Sequence, residues 1–463
     1  MSQGGIIMNL QGKKVLVFGS GKSGIGAAEL LGQVGAEPVI YDGNADLDKE
    51  AVVHKVKHCK DISVYAGELP QEVRKALDLV VLSPGVPTDI PIVKSFYEQG
   101  LPVWGEVELA YRTGKGRVLA ITGTNGKTTT TALLGKIMGD AEESVFVVGN
   151  IGTPYTSKAL EMQDNTTTVA EISSFQLETI EEFAPKVSAI LNITEDHLNR
   201  HHTMEEYIRV KELIVKNQTA DDFCILNYED PVLREFGRNI TPKVVYFSSV
   251  RRLEEGIYLD GDQIILKTSE EEIPLVRTGE LKLLGQHNFE NVMAASAMAY
   301  YAGVPVESIR KSICEFTAVE HRIEYVTEKN GVVYYNDSKG TNPDAAIKGI
   351  QAMNRPTLLI GGGYDKGSGY DEWLNAFDGK VRYLVLIGQT RDKIKAAAER
   401  LGVCPCILCE NLEEAVKVCA EKANPGDAVL LSPACASWGQ FDNYEQRGRM
   451  FKEYVYALPE VDA

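Results

Sequence analysis

The sequence predicts an α/β protein of three domains, and three observations lead to this prediction. The chain has 463 residues, which is too long for a single hydrophobic core. Short apolar strands alternate with helical segments along its length, a pattern typical of mainly parallel sheets covered by helices. Glycine-rich or polar turns follow several strands, at the edge where such sheets bind ligands. We predict domains at residues 1–107, 108–318 and 319–463.

Composition and charge exclude several classes of protein. The hydrophobic content of 44% and the charged content of 24% are typical of globular proteins. The net charge of −17 argues against a nucleic acid or an anionic membrane as a partner. No apolar run is long enough to span a bilayer, and residues 1–14 lack the features of a secretory signal. We expect a cytoplasmic monomer that binds no nucleic acid and enters no membrane.

The cysteines are too sparse to form a disulfide framework, since there are 8 in the chain. Cys404, Cys406 and Cys409 lie close together in the sequence. A metal cluster would need a fourth ligand at matching spacing, and none is evident nearby. We therefore favour free thiols on an apolar strand.

The first domain begins with a strand, a turn, a helix and a second strand over residues 14–42. The turn, residues 19–24, has the spacing GxGxxG, and Asp42 follows the second strand. Such a turn lets a diphosphate approach the backbone closely, and the aspartate can hold a ribose hydroxyl. A further strand in residues 77–87 ends in Ser-Pro-Gly, which can line the same crevice. These features predict a Rossmann-like domain for NAD or another nucleotide diphosphate, although no hydride-transfer centre is evident.

A phosphate-binding loop opens the second domain. The apolar strand 118–121 leads into GTNGKT, and a helical segment, 129–138, follows. Backbone N–H groups and the helix N-terminus can face an anion, Lys127 adds a positive charge, and the Thr128 hydroxyl can bind Mg²⁺. The loop is shorter than the usual Walker pattern, because Ile121 stands where that pattern has its first glycine. It predicts a nucleoside-triphosphate site in a P-loop domain with a mainly parallel sheet.

Other polar residues of this domain follow apolar strands. Glu171 ends one strand, where a carboxylate can reach a metal held at the phosphate loop. His197 follows another strand and has acidic neighbours, so it is either a ligand or a solvated loop histidine. Lys211 lies in a predicted helix, 204–217, and by itself would be a solvated lysine.

Two further elements complete this domain. Residues 257–267 alternate about a turn and predict a hairpin. Residues 283–303 predict a helix with Asn288 near its start, where this side chain either caps the helix or faces a ligand.

The third domain repeats the alternation of strands and helices after residue 326. Three of its strand ends carry polar clusters, at residues 336–341, 364–366 and 432–444. This pattern predicts a second Rossmann-like sheet with a ligand at its carboxyl edge.

Nine motifs together resemble those of the Mur ligase family of ATP-dependent, amide-forming ligases. They are GTNGKTT, GNIGTP, EISSFQLE, NITEDHLNRH, LLGQHNFENVMAA, EHR, NDSKGTNPDA, GGGYDKG and LLSPACASWGQFDNYEQRG. The likeness within the family is greatest to the member that adds D-glutamate to UDP-N-acetylmuramoyl-L-alanine, and the last motif is the most specific. The DNPR tetrad of the diaminopimelate- or lysine-adding member is absent, and residues 341–344 are the nearest string.

The resemblance implies a reaction and its cofactors. The first domain would hold the UDP of the muramoyl substrate rather than NAD, and ATP would lie between the second and third domains. The substrate carboxylate would attack the γ-phosphate to give an acyl phosphate, and the amine of D-glutamate would displace phosphate. Two Mg²⁺ ions would neutralise the anions, one of them through a carbamate formed from CO₂ on Lys211.

The resemblance also assigns residues to these roles. ATP would be bound by Gly123, Thr124, Asn125, Gly126, Lys127, Thr128, Thr129, Asn288, Arg322, Asp337 and Lys339, with Lys127 at the β- and γ-phosphates and Asp337 on the ribose. The metals would be held by Thr128, Glu171, His197 and Lys211. The muramoyl substrate would contact Lys22, Ser23, Asp42, Asn44, Ser83, Gly85 and Asn150. D-glutamate would contact Thr341, Lys366, Ser437 and Tyr444, with Lys366 on its side-chain carboxylate.

Two departures from the family pattern lie in the last motif. Gly439 stands where the family commonly has aspartate, and Tyr444 stands where it has phenylalanine. The sequence leaves two other functions as alternatives. A sister ligase would add another amino acid to a muramoyl peptide, or glutamate to a folate. An NAD-dependent enzyme would use the GxGxxG domain alone and would leave the phosphate loop unexplained.

Overall fold

The computed structural model describes residues 9–57, 59, 62–150, 152–317 and 319–459. They form three sheets with mostly parallel strands and flanking helices, which confirms the predicted α/β class. They group into two compact units. One unit runs to Leu275 and includes Asn291–Ser312, and the other holds Val276–Glu290 and the residues from Ile313 onward. The domain boundaries at 107 and 318 stay predictions, and residue 318 lies outside the described residues.

The first sheet is wholly parallel, with the strand order β3-β2-β1-β4-β5. Its strands are β1 (Lys14–Phe18), β2 (Glu37–Asp42), β3 (Ser63–Ala66), β4 (Leu79–Leu82) and β5 (Val103–Gly105). Its helices are α1 (Lys22–Gln33), α2 (Lys49–Lys55), α3 (Gln71–Lys75), α4 (Pro91–Glu98) and α5 (Glu106–Thr113). Continuous apolar runs such as β4 form its centre, because helices cover both faces of a parallel sheet. The chain reverses its direction of winding between β1 and β4, which opens a crevice at their carboxyl ends.

The second sheet has the order β14-β13-β12-β11-β10-β9-β6-β8-β7. Its strands are β6 (Arg117–Thr122), β7 (Val145–Gly149), β8 (Thr167–Glu171), β9 (Val187–Ile190), β10 (Phe223–Asn227), β11 (Lys243–Ser248), β12 (Gly256–Asp260), β13 (Gln263–Lys267) and β14 (Glu272–Arg277). Strand β6 lies between β8 and β9 and is parallel to both. Strands β12 and β13 pair in antiparallel fashion, which confirms the predicted hairpin.

Seven helices follow these strands in the described part of the chain. They are α6 (Lys127–Ala141), α7 (Ser174–Leu177), α8 (Leu198–His201), α9 (Met204–Glu212), α10 (Pro231–Phe236), α11 (Gln286–Tyr301) and α12 (Val306–Glu315). Three of them, α6, α9 and α11, overlap the helical segments that the sequence predicts at 129–138, 204–217 and 283–303. The predicted single helix over 204–217 is wrong at its end, because α9 stops at Glu212 and a 3₁₀ turn, Leu213–Val215, follows. This tightening is common in the last turn of a helix, where carbonyl groups lack helical partners.

The third sheet has the order β15-β16-β20-β17-β18-β19. Its strands are β15 (Glu324–Lys329), β16 (Val332–Asn336), β17 (Thr357–Gly362), β18 (Val381–Ile387), β19 (Cys406–Leu408) and β20 (Ala428–Leu431). Its helices are α13 (Pro343–Gln351), α14 (Asp371–Asn375), α15 (Arg391–Leu401), α16 (Leu412–Lys422) and α17 (Tyr444–Tyr456). Only the edge pair β15–β16 is antiparallel among the pairings described for this sheet. All eight cysteines of the chain are free thiols, as expected.

One apolar core is shared by the first and second sheets. It contains side chains of β1 and α1 together with side chains of β6 and β9, among them Val15, Leu31, Ala120 and Ile190. Because the same core covers both sheets, these sheets belong to one compact unit. Two separate cores cover the two faces of the third sheet.

Candidate active site

The crevice of the first sheet is built from the turns after β1 and β4. Gly19 has a φ of 107°, which favours glycine, and a Cβ on Gly24 would lie 1.9 Å from the Gly19 carbonyl oxygen. The Ser83 hydroxyl donates to that carbonyl oxygen over 3.4 Å. The two turns are therefore in contact. The predicted residues Ser83 and Gly85 follow β4, whereas Lys22 and Ser23 are the first two residues of α1.

Asp42 braces the glycine-rich turn. Its Oδ2 accepts hydrogen bonds from the Ser20 N–H (3.0 Å) and hydroxyl (2.6 Å), and its Oδ1 accepts from the Asn44 N–H (3.0 Å). Burial by itself would raise the pKa of Asp42, but the hydrogen bonds from Ser20 and Asn44 outweigh it and lower the pKa. The carboxylate stays charged, and its predicted role on a ribose stays a prediction.

The phosphate loop follows β6 at the centre of the second sheet. Gly126 has a φ of 85°, and a Cβ there would lie 2.3 Å from the Asn291 Oδ1 atom. Helix α6 begins at Lys127, two residues before the predicted start. The Lys127 ammonium folds back over the loop and donates to the carbonyl oxygens of Gly123 (2.9 Å) and Thr124 (3.0 Å). The loop is thus closed around its own lysine, with the N-terminus of α6 open to an anion.

Two residues that the sequence did not single out hold the loop in place. The Asn192 Oδ1 atom accepts from the Asn125 N–H over 2.8 Å. The hydroxyls of Tyr207 and Thr124 share a hydrogen bond of 3.1 Å. Tyr207 precedes Lys211 by four residues, so both side chains lie on one face of α9. That spacing is the sequence signal that could have predicted Tyr207 at the phosphate loop.

Glu171 ends β8 beside the phosphate loop, because β8 pairs with β6. The residue is 2% exposed. Its Oε1 accepts from the Asn150 side-chain amide over 2.8 Å, whereas its buried Oε2 has no hydrogen-bond partner. An unpaired carboxylate oxygen is costly to bury, and it is the ligand that Mg²⁺ prefers. The site therefore fits a divalent cation.

Lys211 is buried at the same edge, with 1% of its surface exposed. Its ammonium donates to the Gly123 carbonyl oxygen over 2.8 Å and lies 4.7 Å from the centre of the Tyr207 ring. Burial, and next the charge of Lys127, lower the pKa of Lys211 to about 7. A large fraction of this amine is therefore neutral near pH 7, unlike a solvated lysine.

His197 follows β9 and is more open. Its side chain is 48% exposed, and its Nε2 lies 3.5 Å from the Asp196 Oδ2 atom. The backbone has a left-handed φ of 54°, and the ring lies 4.9 Å from the Phe175 ring. The imidazole thus packs against an aromatic ring at a tilt of 55°, and about half of the side chain stays accessible to a ligand.

A buried cluster lies next to His197 in the sequence and was not predicted. The Arg200 guanidinium donates to Glu178 Oε2 (2.6 Å) and to the Val86 carbonyl oxygen (2.9 Å). The His201 Nε2 shares a hydrogen bond of 2.9 Å with the Ser174 hydroxyl. Burial lowers the pKa of His201 to about 4, so its ring is neutral. Arg200 thereby joins the loop after β9 to the crevice of the first sheet.

The polar clusters of the third sheet meet at one edge, because β20 lies between β16 and β17. Asp337 follows β16, is buried, and accepts from the Ser432 hydroxyl over 2.7 Å. Burial raises the pKa of Asp337 to about 7. Its side chain therefore changes charge near neutral pH.

Arg447, on α17, was also missed by sequence reasoning. Its buried guanidinium donates to the Ser338 hydroxyl (3.0 Å), the Ser338 carbonyl oxygen (2.8 Å) and the Cys435 carbonyl oxygen (3.1 Å). Burial lowers its pKa to about 10, so it stays charged. It ties the loop after β16 to the loop after β20.

The remaining predicted residues of this unit lie around these loops. The Asn288 amide donates to the Leu284 carbonyl oxygen over 2.7 Å, and the Lys339 ammonium lies 5.4 Å from the Tyr444 ring centre. Ser437 is buried, Thr341 and Tyr444 are half-buried, and Arg322 and Lys366 are exposed.

Fold and site together define a nucleotide-using α/β enzyme with a phosphate loop. The sequence matches the family profiles "Mur ligase MurD-like, N-terminal domain" over 13–105, "Mur ligase middle domain" over 121–299 and "Mur ligase, glutamate ligase domain" over 321–435. The chain belongs to the Mur ligase family. It is therefore an ATP-dependent ligase that forms an amide bond and releases ADP and phosphate.

Curated relatives are similar over nearly the whole chain. A UDP-N-acetylmuramoylalanine–D-glutamate ligase of Lachnoclostridium phytofermentans is 57% identical and covers 97% of this chain and 99% of its own length. A protein of the same name from Lachnospira eligens is 54% identical, covering 97% and 100%.

Solved structures show the same fold at low identity. The UDP-N-acetylmuramate-alanine ligase of Thermotoga maritima has a TM-score of 0.58 at 19% identity, covering 96% of this chain and 99% of that one. A UDP-N-acetylmuramoyl-L-alanyl-D-glutamate–2,6-diaminopimelate ligase has a TM-score of 0.58 at 18% identity, covering 91% and 92%. Within the part of the chain that the structure describes, no helix is both long and apolar enough to cross a bilayer.

Proposed function

We propose that this chain joins D-glutamate to UDP-N-acetylmuramoyl-L-alanine in cytoplasmic peptidoglycan precursor synthesis. The observation that carries the proposal is the 57% identity, over 97% of the chain, to a ligase of that name. The substrate carboxylate attacks the γ-phosphate of ATP, and ADP leaves. The amine of D-glutamate then attacks the acyl phosphate, and phosphate leaves as the amide forms.

The residues around the phosphate loop serve the first step. The N–H groups of residues 126–129, at the start of α6, and the Lys127 ammonium bind the β- and γ-phosphates. The N–H groups of Thr124 and Asn125 already donate to Asn192 and hold the loop in shape. Mg²⁺ at Thr128 and Glu171, and a second Mg²⁺ at His197, would neutralise charge as the phosphoryl group moves. The unpaired Oε2 of Glu171 supports this assignment. Asn150 keeps Glu171 oriented through its hydrogen bond, and it would also contact the muramoyl substrate.

Lys211 carries a carbamate in this proposal. Its amine reacts with CO₂ only when neutral, and its burial, with no carboxylate bound to it among the described residues, favours that form. A carbamate also presents two oxygens suited to a hard cation, which an ammonium does not.

The carbamate can be tested by ¹³C NMR after incubation with ¹³C-bicarbonate. We expect a carbamate carbonyl resonance in the parent protein that Lys211→Arg abolishes. The exposed lysine nearby supplies a matched control, Lys216→Arg, which keeps the resonance. A resonance that survives Lys211→Arg would contradict the assignment.

The other two sites bind the remaining groups. UDP would be bound at the crevice of the first sheet by the start of α1, the end of β2 and the residues that follow β2 and β4, namely Lys22, Ser23, Asp42, Asn44, Ser83 and Gly85. Asn288, Arg322, Asp337 and Lys339 would complete the ATP site, with Asp337 on the ribose. Thr341, Lys366, Ser437 and Tyr444 would bind D-glutamate.

The function is tested by measuring phosphate release from ATP and Mg²⁺ with UDP-N-acetylmuramoyl-L-alanine. D-glutamate, L-glutamate, L-lysine or diaminopimelate is supplied in parallel reactions. Release with D-glutamate alone is the expected result. Release with another amino acid would identify a sister ligase, and no release with any would overturn the muramoyl substrate.

A further inference from the structure

Two loops at the carboxyl edge of the third sheet place two exposed aromatic rings beside a lysine. Tyr364 and Lys366 follow β17, and Trp438 follows the neighbouring strand β20. The Tyr364 N–H donates to the Ala436 carbonyl oxygen over 2.9 Å, and these two residues form an antiparallel bridge. The rings are therefore held together by the backbone and not by chance contact of mobile side chains.

The rings and the ammonium form one cluster. The Lys366 Nζ lies 4.9 Å from the Trp438 ring centre. The Tyr364 and Trp438 rings meet edge to face, with centroids 5.6 Å apart. Tyr364 is 40% exposed and Trp438 is 55% exposed, whereas the other two tryptophans of the chain are buried. A single exposed aromatic residue needs no explanation, but a pair of rings with a cation resembles a ligand platform.

Lys366 has no carboxylate partner among the described residues. Its neighbour Asp365 is bound instead by the Lys393 ammonium (3.1 Å) and by the Gly367 N–H (2.8 Å). The contact with Trp438 therefore orients the Lys366 ammonium without neutralising it. A cation–π contact at an exposed site is weak, and a ligand carboxylate binds an ammonium more strongly.

The residue before Trp438 adds a second polar group. Ser437 is buried and is one of the residues proposed above for D-glutamate, and its hydroxyl and backbone suit the α-carboxylate of the amino acid. A site with Ser437 at one end and Lys366 at the other suits an amino acid with two carboxylates. Trp438 connects these two groups, because it follows Ser437 in the chain and its ring lies against the Lys366 ammonium.

We propose that Trp438, supported by Tyr364, is a positioning residue that aims the Lys366 ammonium at the side-chain carboxylate of the incoming amino acid. This inference rests on the proposed function. Trp438 acts through Lys366, so its loss weakens the binding of D-glutamate and leaves the phosphoryl-transfer step intact.

The test compares Trp438→Leu, which removes the ring, with Trp438→Phe, which keeps an aromatic face. We expect Trp438→Leu to raise the KM for D-glutamate about two- to five-fold, the value of an exposed cation–π contact, with kcat and the KM for ATP retained. Trp438→Phe should recover most of the parent KM. Tyr97→Leu, which removes an exposed ring from α4 in the other unit, is the matched control and should change neither constant.

A second readout uses the exposed indole directly. D-glutamate, added with the muramoyl substrate and a non-hydrolysable ATP analogue, should change the tryptophan emission of the parent protein. This change should be absent in Trp438→Phe, and L-glutamate should not produce it.

The outcomes separate the two proposals. A parent enzyme that does not use D-glutamate overturns the proposed function. A parent that uses D-glutamate, together with an unchanged KM in Trp438→Leu, overturns the positioning role alone. If kcat falls in Trp438→Leu and the KM rises for every substrate, Trp438 is a structural residue. That result also overturns the positioning role.

Discussion

Four buried ionisable side chains lie in or beside the sites proposed for this protein. Glu171, Lys211, Asp337 and Arg447 are all buried, and none of them forms an ion pair within 4.0 Å with another residue that the structure describes. Burying such groups without full pairing costs free energy, so folding by itself does not favour them. Each lies at the carboxyl edge of a sheet, where a ligand can supply the missing charge.

Glu171→Gln tests the metal site at this scale. The amide keeps the shape of the side chain and the hydrogen bond from Asn150 but removes the charge. We expect phosphate release to fall on the order of 100-fold, as when one electrostatic contact of a transition state is removed. The free energy of unfolding should not fall, because the unpaired Oε2 is no longer charged. The exposed Glu143→Gln is the control, and equal activity in the two variants would contradict the assignment.

Asp337→Asn tests the buried carboxyl group through pH. The pKa of Asp337 is raised from 3.8 to about 7, so the native state holds a proton that the unfolded state releases between these values. Its contribution to stability is therefore fully present below about pH 4 and is lost as the pH rises through 7. Asparagine does not titrate, so the variant should not show this loss in the free energy of unfolding. The loss amounts to at most about 4 kcal/mol, because each pKa unit corresponds to about 1.36 kcal/mol.

The measurement is urea unfolding of the parent and of Asp337→Asn from pH 5 to pH 8.5. The difference between the two free energies of unfolding should grow in favour of the variant up to about pH 7 and then level off. Parallel pH curves would show that this carboxyl group is not perturbed.

At the scale of the element, the phosphate loop depends on how α6 starts. Gly126 supplies the left-handed backbone that turns the chain into the helix, and the Asn291 side chain fills the space where a Cβ would lie. The Asn291 Oδ1 atom also accepts from the Thr130 hydroxyl over 3.2 Å. The geometry of the loop therefore depends on α11 as well as on its own glycines.

Two glycine substitutions in this element should have opposite effects. Gly126→Ala should lower the free energy of unfolding by at least about 1–2 kcal/mol, the cost of a left-handed alanine, and should weaken ATP binding. Gly139→Ala, at an exposed position of the same helix with no atom near the added Cβ, should raise it by about 0.5–1 kcal/mol. Urea unfolding and ATP titration of both variants provide the measurement. Equal shifts would mean that the backbone of the loop is not constrained at Gly126.

At the scale of the whole molecule, the chain consists of two compact units, each with its own apolar core. The first unit contains the phosphate loop, Glu171, His197 and Lys211. The second contains Asn288, Asp337 and the loops proposed for the amino acid. Proteins built in this way commonly unfold in more than one step.

Calorimetry should therefore resolve more than one unfolding transition, with a calorimetric enthalpy larger than the van't Hoff enthalpy. Gly139 lies in the first unit, so Gly139→Ala should raise the midpoint temperature of only one transition, by about 1–2 °C. A single transition with equal enthalpies would show that the two units unfold together.

Local patterns predicted much of the fold and part of the site. The three α/β sheets, the hairpin at 257–267 and the free thiols were all predicted from apolar runs, turns and cysteine spacing. The end of α9 was not, because a 3₁₀ turn and an α-helical turn have similar sequence patterns. Asn192, Tyr207 and Arg447 were missed because each acts on a loop that is distant in the sequence.

The class of the fold, the phosphate loop and the family follow from the sequence, since they depend on local spacing and on motifs. The state of the charged groups depends instead on tertiary packing. This packing leaves one oxygen of Glu171 unpaired, buries Lys211 against a loop carbonyl and sets Lys366 beside Trp438. Burial and pairing depend on residues far apart in the chain, so they appear only after the strands have been ordered into sheets.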